Sequence, residues 1–301
     1  MKKILLSCLS IISLFGSVEN TQKKEEYITC DIKNIKSLET QDTMYKWLNS
    51  DFGLEPYKVN YLLPFGYRKD GVYKSYVPTD VYKNVEAELQ ISLKLNVKNN
   101  LLGLHEKYYL SYTHQSFWQI YSESSPFRET IYNPEAFVIF PVKDSSFVHL
   151  KIIKLALAHR SNGQGDNRNL DPEIYANVEN RSRSLNYVYT TFRFQRLSMI
   201  TDFEFWARIP EDKETDDNSD IMKYLGFSSV KFRYFLGEHL FTLFARGNFK
   251  THYGAIEATY SHPLIIKDVY FYSKIFSGYE ESLIDYNNNI TKFSVGFSFS
   301  R

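Results

Sequence analysis

Apolar and polar side chains alternate along a series of segments, each about ten residues long, and this pattern limits the possible folds more than any other. Phe293, Val295, Phe297 and Phe299 alternate with Ser294, Gly296, Ser298 and Ser300. Phe203, Phe205, Ala207 and Ile209 alternate with Asp202, Glu204 and Arg208, and Gly254, Ile256, Ala258 and Tyr260 oppose Glu257 and Thr259. Successive strand side chains point to opposite faces, so each segment has one apolar and one polar face. Aromatic residues make up 17% of the chain, yet its mean hydropathy is −0.37. Beyond the N-terminal run, no stretch approaches the ~18 apolar residues of a membrane-spanning helix. A transmembrane barrel reconciles these facts, because it needs apolar residues only at alternate positions, with aromatic girdles at both interfaces. A soluble β-sandwich also alternates, but the strand-long rows of Phe, Tyr, Ile and Val here lack a sandwich's frequent Gly/Pro turns.

The expected fold is therefore all-β, a transmembrane antiparallel up-and-down β-barrel of about twelve strands. The pattern predicts strands over 57–67, 86–98, 107–120, 135–143, 147–159, 186–196, 199–209, 227–236, 239–248, 253–261, 265–276 and 291–300. Filled by side chains, such a barrel is too narrow for a general porin. Asp144-Ser145, Leu197-Ser198 and Gly237-Glu238 read as tight turns at one end, and 160–185, 210–226 and 277–290 as long polar connections on the outer side. Phe299 is followed by Ser300-Arg301, a departure from the closing aromatic usual in such barrels.

Met1-Lys2-Lys3, the apolar run from Ile4 to Phe15, and Gly16-Ser17 have the layout of a secretory signal peptide. It is placed at residues 1–18, with cleavage between Gly16 and Asn20. Leu5-Leu6-Ser7-Cys8 has the look of a lipoprotein box, but the apolar stretch before the cysteine is too short. Residues 19–56 read as an N-terminal extension or plug with a candidate short helix at Met44–Leu48, and 57–301 as the barrel domain. After export only Cys30 remains, which excludes an intramolecular disulfide and cysteine metal sites. A formal charge of +1 without basic runs argues against a nucleic-acid partner.

One group breaks the alternation. Strand parity puts His159 and Ser161 on the apolar face of Leu155 and Leu157, and Asn186 on the face of Val188, Phe192 and Phe194. Hydroxyl, imidazole and amide in hydrocarbon are costly unless they bond one another. A nucleophile, a base and an amide displayed toward lipid suit an enzyme whose substrate is the membrane itself. A single β-bulge would reverse the parity.

The runs Ser111–Gln119, Glu123–Thr130, His159-Arg160-Ser161-Asn162-Gly163, Ser182–Asn186, Thr215–Ile221, Tyr253-Gly254 and Ser277–Asn287 together resemble the outer-membrane phospholipase A1 family of Gram-negative bacteria, over about residues 85–300. The resemblance implies a twelve-stranded barrel with a lipid-facing active site. Ser161 would be the nucleophile, His159 the general base and Asn186 the residue holding the imidazole tautomer. The Gly163 N–H, unobstructed by a side chain, would serve the oxyanion. The family binds catalytic calcium between two subunits, so Ser124 would contribute from one, and Ser182 with the Gln164 carbonyl from the other. Where Gln164 stands the family is usually basic, a change that a carbonyl ligand tolerates. For a second calcium position Asp217 fits one aspartate, and the other is Asp166 or Asp171. The loop from 166 to 180 is largely extra to the family's pattern. His114 stands where a glutamine in the dimer interface is expected, and could hydrogen-bond across a two-fold axis or face lipid headgroups.

The resemblance thus implies a Ca2+-dependent phospholipase acting on phospholipids and lysophospholipids, active as a homodimer in the outer membrane. The competing reading is a non-enzymatic barrel, a narrow channel or scaffold. A third is a family member silenced by its lengthened loop.

Overall fold

The computed structural model describes residues 36–41, 44, 53–76, 81–143, 149–165 and 180–301. The chain divides into Met1–Gly53 and Leu54–Arg301. In the first unit residues 38–41 and Met44 are helical. The signal-peptide reading, most of the proposed 44–48 helix, and the Asp144-Ser145 turn lie outside the described residues.

The second unit is an antiparallel sheet closed on itself. Its strands are β1 (Tyr61–Arg68), β2 (Val85–Asn99), β3 (Lys107–Trp118), β4 (Phe127–Pro141), β5 (Leu150–Ser161) and β6 (Ser184–Arg196). There follow β7 (Met199–Ile209), β8 (Ser228–Leu236), β9 (His239–Asn248), β10 (Tyr253–Pro263), β11 (Tyr270–Gly278) and β12 (Ile290–Ser298). Each strand pairs with its sequence neighbours, and β12 pairs with β1 to close the ring. A two-residue piece, Glu55–Pro56, adds to β2 beside the ring. Among the described residues no helix is long and apolar enough to cross a membrane, and here the strands do the crossing.

The alternation resolves as expected. On β12, Phe293 and Phe297 are exposed on the outside while Lys292, Ser294 and Ser298 are buried inside. On β7, Phe203, Phe205 and Ile209 face out, opposite the buried Asp202. The lumen is packed rather than open. Arg128 is wholly buried and forms a paired contact with Glu86, Nε to Oε2 at 2.9 Å and Nη2 to Oε1 at 3.0 Å, and also bonds Asp285. Lys292 joins Glu86 at 2.8 Å and Glu281 at 2.7 Å. Gly66 makes room for this cluster, since a Cβ there would meet Lys292 Cε at 2.7 Å and Ser294 Oγ at 2.9 Å. In the Glu281 carboxyl, which lies in the loop before β12, burial raises the pKa and the Lys292 ammonium opposes the rise.

Three differences from the sequence reading have local causes. Strand β4 starts at Phe127, eight residues before the predicted 135. The stretch Arg128-Glu129 with Pro134 reads as loop, but its charges point into the polar lumen and Pro134 pairs opposite Tyr112 in the wall. Residues 57–60 precede β1 rather than forming its start. Tyr57 instead stacks on Phe137 at 5.0 Å, and Lys58 reaches Glu135 at 2.5 Å. The polar connection after β7 contains a short helix, α1 (Ile221–Leu225), whose Ile221 and Leu225 pack with Phe117, Ile131, Leu185 and Leu283.

Candidate active site

The trio sits on two adjacent strands at the end with the long connections. In the β5–β6 ladder His159 lies opposite Asn186 and Ser161 opposite Ser184. No bulge intervenes there, because the irregularity in this ladder lies at the other end, between Leu150 and Ile152. The outward parity inferred from the sequence therefore holds: below His159 the same face carries exposed Leu157 and Leu155, and below Asn186 exposed Val188.

His159 Nδ1 and Asn186 Oδ1 are 2.7 Å apart. An amide oxygen only accepts, so the imidazole proton sits on Nδ1 and the Nε2 lone pair is free to act as a base. Ser161 projects from the same face two residues on, and among the described residues its hydroxyl has no hydrogen bond to His159. A nucleophile–base contact of this kind often tightens only with substrate in place.

Gly163 has φ +62°, and a Cβ there would lie 2.9 Å from Tyr132 Cε2. Glycine thus meets both the left-handed backbone and the close ring above it. The preceding residue, Asn162, is 2% exposed and organises the turn. Its Oδ1 accepts from the Gln164 N–H at 3.3 Å and the Arg183 N–H at 3.0 Å. Its amide donates to Glu129 at 3.0 Å and the Arg181 carbonyl at 2.7 Å. One side chain thereby ties both ends of the long 162–183 connection together, bringing the Gln164 and Ser182 segments to one place.

Ser124 lies on a different connection, 119–126, with φ +57°. Asp217 accepts from Asn180 Nδ2 at 2.6 Å, while Asp166 and Asp171 fall outside the described residues. No cluster of three or more His, Cys, Asp or Glu side chains suited to a metal occurs among the described residues. The donors at the first expected position are serine hydroxyls and a backbone carbonyl, a hard oxygen set that fits calcium and not zinc. His114 lies in the same lateral row as Ser161, through Tyr132 on the strand between. Its Nε2 is 2.9 Å from Ser116 Oγ, and its ring meets Tyr132 edge-on at 5.5 Å.

The sequence reading missed Glu211. It sits just beyond the end of β7, and its Oε1 accepts from Asn186 Nδ2 at 3.0 Å. Ser184 Oγ donates to the same carboxylate at 3.0 and 2.9 Å. Asn218, 1% exposed, fixes this corner by pairing with the Ser184 backbone, accepting from its N–H at 3.0 Å and donating to its carbonyl at 2.8 Å. Only the register, which sets Asn186 opposite Ile209, reveals that an acid two residues later is within reach.

A closed antiparallel barrel with an apolar outer wall and polar lumen defines a transmembrane protein of the outer-membrane type. A family profile described as phospholipase A1 matches residues 38–299. The phospholipase A1 of Salmonella typhimurium strain LT2 is 34% identical over 255 residues, covering 82% of each chain. A solved Salmonella typhi outer membrane phospholipase dimer with bound calcium is 34% identical, with a TM-score of 0.72, over 83% of this chain and 93% of that one. An active-site mutant of Escherichia coli outer membrane phospholipase A, with alanine in place of asparagine, is 30% identical, with a TM-score of 0.72, over 90% and 96%. The chain belongs to the phospholipase A1 family and is a phospholipase A1 of the outer membrane.

Proposed function

We propose that this phospholipase works through Ser161, His159 and Asn186, requires calcium, and is active as a homodimer on phospholipids and lysophospholipids, at either acyl ester. The observation that carries the reading is the 2.7 Å contact of His159 Nδ1 with Asn186 Oδ1 on the lipid-facing wall, with Ser161 displayed beside it. The calcium-bound dimer and the active-site asparagine of the relatives support it.

Ser161 Oγ attacks the ester carbonyl of a lipid lying against the outer wall, and His159 Nε2 takes its proton. The Gly163 N–H faces the tetrahedral oxyanion. Collapse expels the alcohol portion of the lipid, which takes the proton back from His159, and water then hydrolyses the acyl-enzyme by the same proton route. Ser182 and the Gln164 carbonyl, with Ser124 from the other subunit, would hold a calcium ion, which supplies positive charge and polarised water near the developing oxyanion. Asp217 is the described candidate for a second position, with Asp166 or Asp171 proposed as the other aspartate. A site shared in this way would be incomplete in the monomer. His114, in the row of Ser161, is proposed to lie at the dimer face.

The test is fatty-acid release from detergent-dispersed phospholipid by the refolded protein, with calcium or with chelator. Release that requires calcium is expected, and a folded dimer that releases none with calcium present would overturn the reading. Two substitutions sharpen it. Gly163→Ala strains the left-handed backbone and presses on Tyr132, and is expected to lower kcat about tenfold or more with the barrel still folded. Asn162→Ala unties the loop ends, and is expected to raise the calcium concentration for half-maximal activity about tenfold or more. A calcium titration showing no change would contradict the assigned role of Asn162.

A further inference from the structure

We infer that Glu211 is a fourth member of the catalytic chain, a positioning residue that acts through Asn186 on His159. This rests on the reading of Ser161, His159 and Asn186 given above.

An asparagine in the third position orients the imidazole but brings no charge to stabilise the imidazolium formed when His159 takes the serine proton. An amide can also rotate by half a turn, presenting its NH2 instead of its oxygen and reversing the tautomer it selects. Glu211 answers both needs. An ionised carboxylate only accepts, so its contact with Asn186 Nδ2 at 3.0 Å obliges Oδ1 to face His159 Nδ1, where it stands 2.7 Å away. The carboxylate is itself held, since Ser184 Oγ reaches both of its oxygens. Imidazole, amide and carboxylate thus form one continuous chain, in which the far negative charge polarises the amide toward the ring. The arrangement separates roles that a single buried aspartate would combine. The neutral group faces lipid, and the charge sits one hydrogen bond further back, beyond the end of β7 at the water side.

Attraction between unit charges two hydrogen bonds apart, in a partly screened site, corresponds to about tenfold to a hundredfold in rate. At saturating calcium, Glu211→Gln is therefore expected to lower kcat by that factor with KM nearly unchanged. In an Asn186→Ala background the same change should cost little more, because the connecting amide is gone. The sharpest readout is a charge exchange. Asn186→Asp alone sets two carboxylates against each other and should be poorly active, whereas Asn186→Asp with Glu211→Gln should recover activity above either single change. A role confined to holding the loop would not produce that recovery. Folding of each variant is checked by the heat-dependent gel mobility of the barrel.

An unchanged kcat for Glu211→Gln overturns the inference. So does a shift only in the calcium concentration needed, which would make Glu211 a metal-site residue, and so does a full additional loss in the Asn186→Ala background. Wild type and Ser161→Ala run alongside keep the two readings apart. An inactive wild type, or an active Ser161→Ala, defeats the underlying reading, whereas an active wild type and dead Ser161→Ala with normal Glu211→Gln defeats only this inference.

Discussion

Ser161→Ala is expected to lower phospholipid hydrolysis by about 10⁴-fold or more while leaving the barrel and the proposed dimer intact. The magnitude follows from the side chain's position. Ser161 faces outward at the last residue of β5, opposite Ser184, and the β5–β6 ladder holds it through backbone bonds that alanine keeps. Loss of the hydroxyl thus removes the proposed nucleophile without unmaking the site around it. Turnover by a folded variant within tenfold of wild type would exclude an acyl-enzyme on Ser161. Chemical cross-linking of the variant in the presence of calcium provides the control for dimer formation.

The largest expected effect on stability is inside the barrel, at Arg128. Its guanidinium is fully buried, pairs with Glu86 and Asp285, and lies over the rings of Tyr73 and Phe117 at 4.1 and 4.9 Å. Arg128→Met keeps much of the volume but takes the guanidinium from Glu86, which retains Lys292 and the Gln119 amide, and from Asp285, which retains the neutral donors of Tyr76 and Asn288. Breaking one side of a buried ion network costs about 3–5 kcal/mol, enough to threaten most single domains. Urea unfolding in detergent should therefore show a sharply lowered midpoint or no folded fraction. Arg128→Met combined with Glu86→Gln should be less damaging than the sum of the two, because each removes the other's unpaired charge. A normal midpoint for Arg128→Met would mean that water reaches this part of the lumen and screens the cluster.

The wall of the barrel was legible because membrane and lumen demand opposite chemistry at alternate positions. Where both demands are strong, as on β7 and β9, the predicted limits match the observed ones, 199–209 and 239–248. Where a strand's inward residues are charged and a proline interrupts it, as at the start of β4, local rules read a loop, and only the electrostatic partners across the lumen make it a strand. The same limit applies to 57–60, whose Tyr57 and Lys58 are placed by Phe137 and Glu135, residues distant in sequence. Helix α1 escaped notice because its short apolar content is explained by contacts with Phe117 and Leu283, not by any period of its own.

The candidate site divides in the same way. Residue order is enough to show that the barrel alternates, that His159, Ser161 and Asn186 share its lipid-facing parity, and that glycine stands at 163, because strand geometry is a local property with a period of two. The pairing of His159 with Asn186, the tie that Asn162 makes between two ends of a long loop, the packing of Tyr132 over Gly163, and the approach of Glu211 behind Asn186 emerge only in the folded barrel. These depend on ladder register and loop closure, which bring together residues whose separation along the chain says nothing of their separation in space.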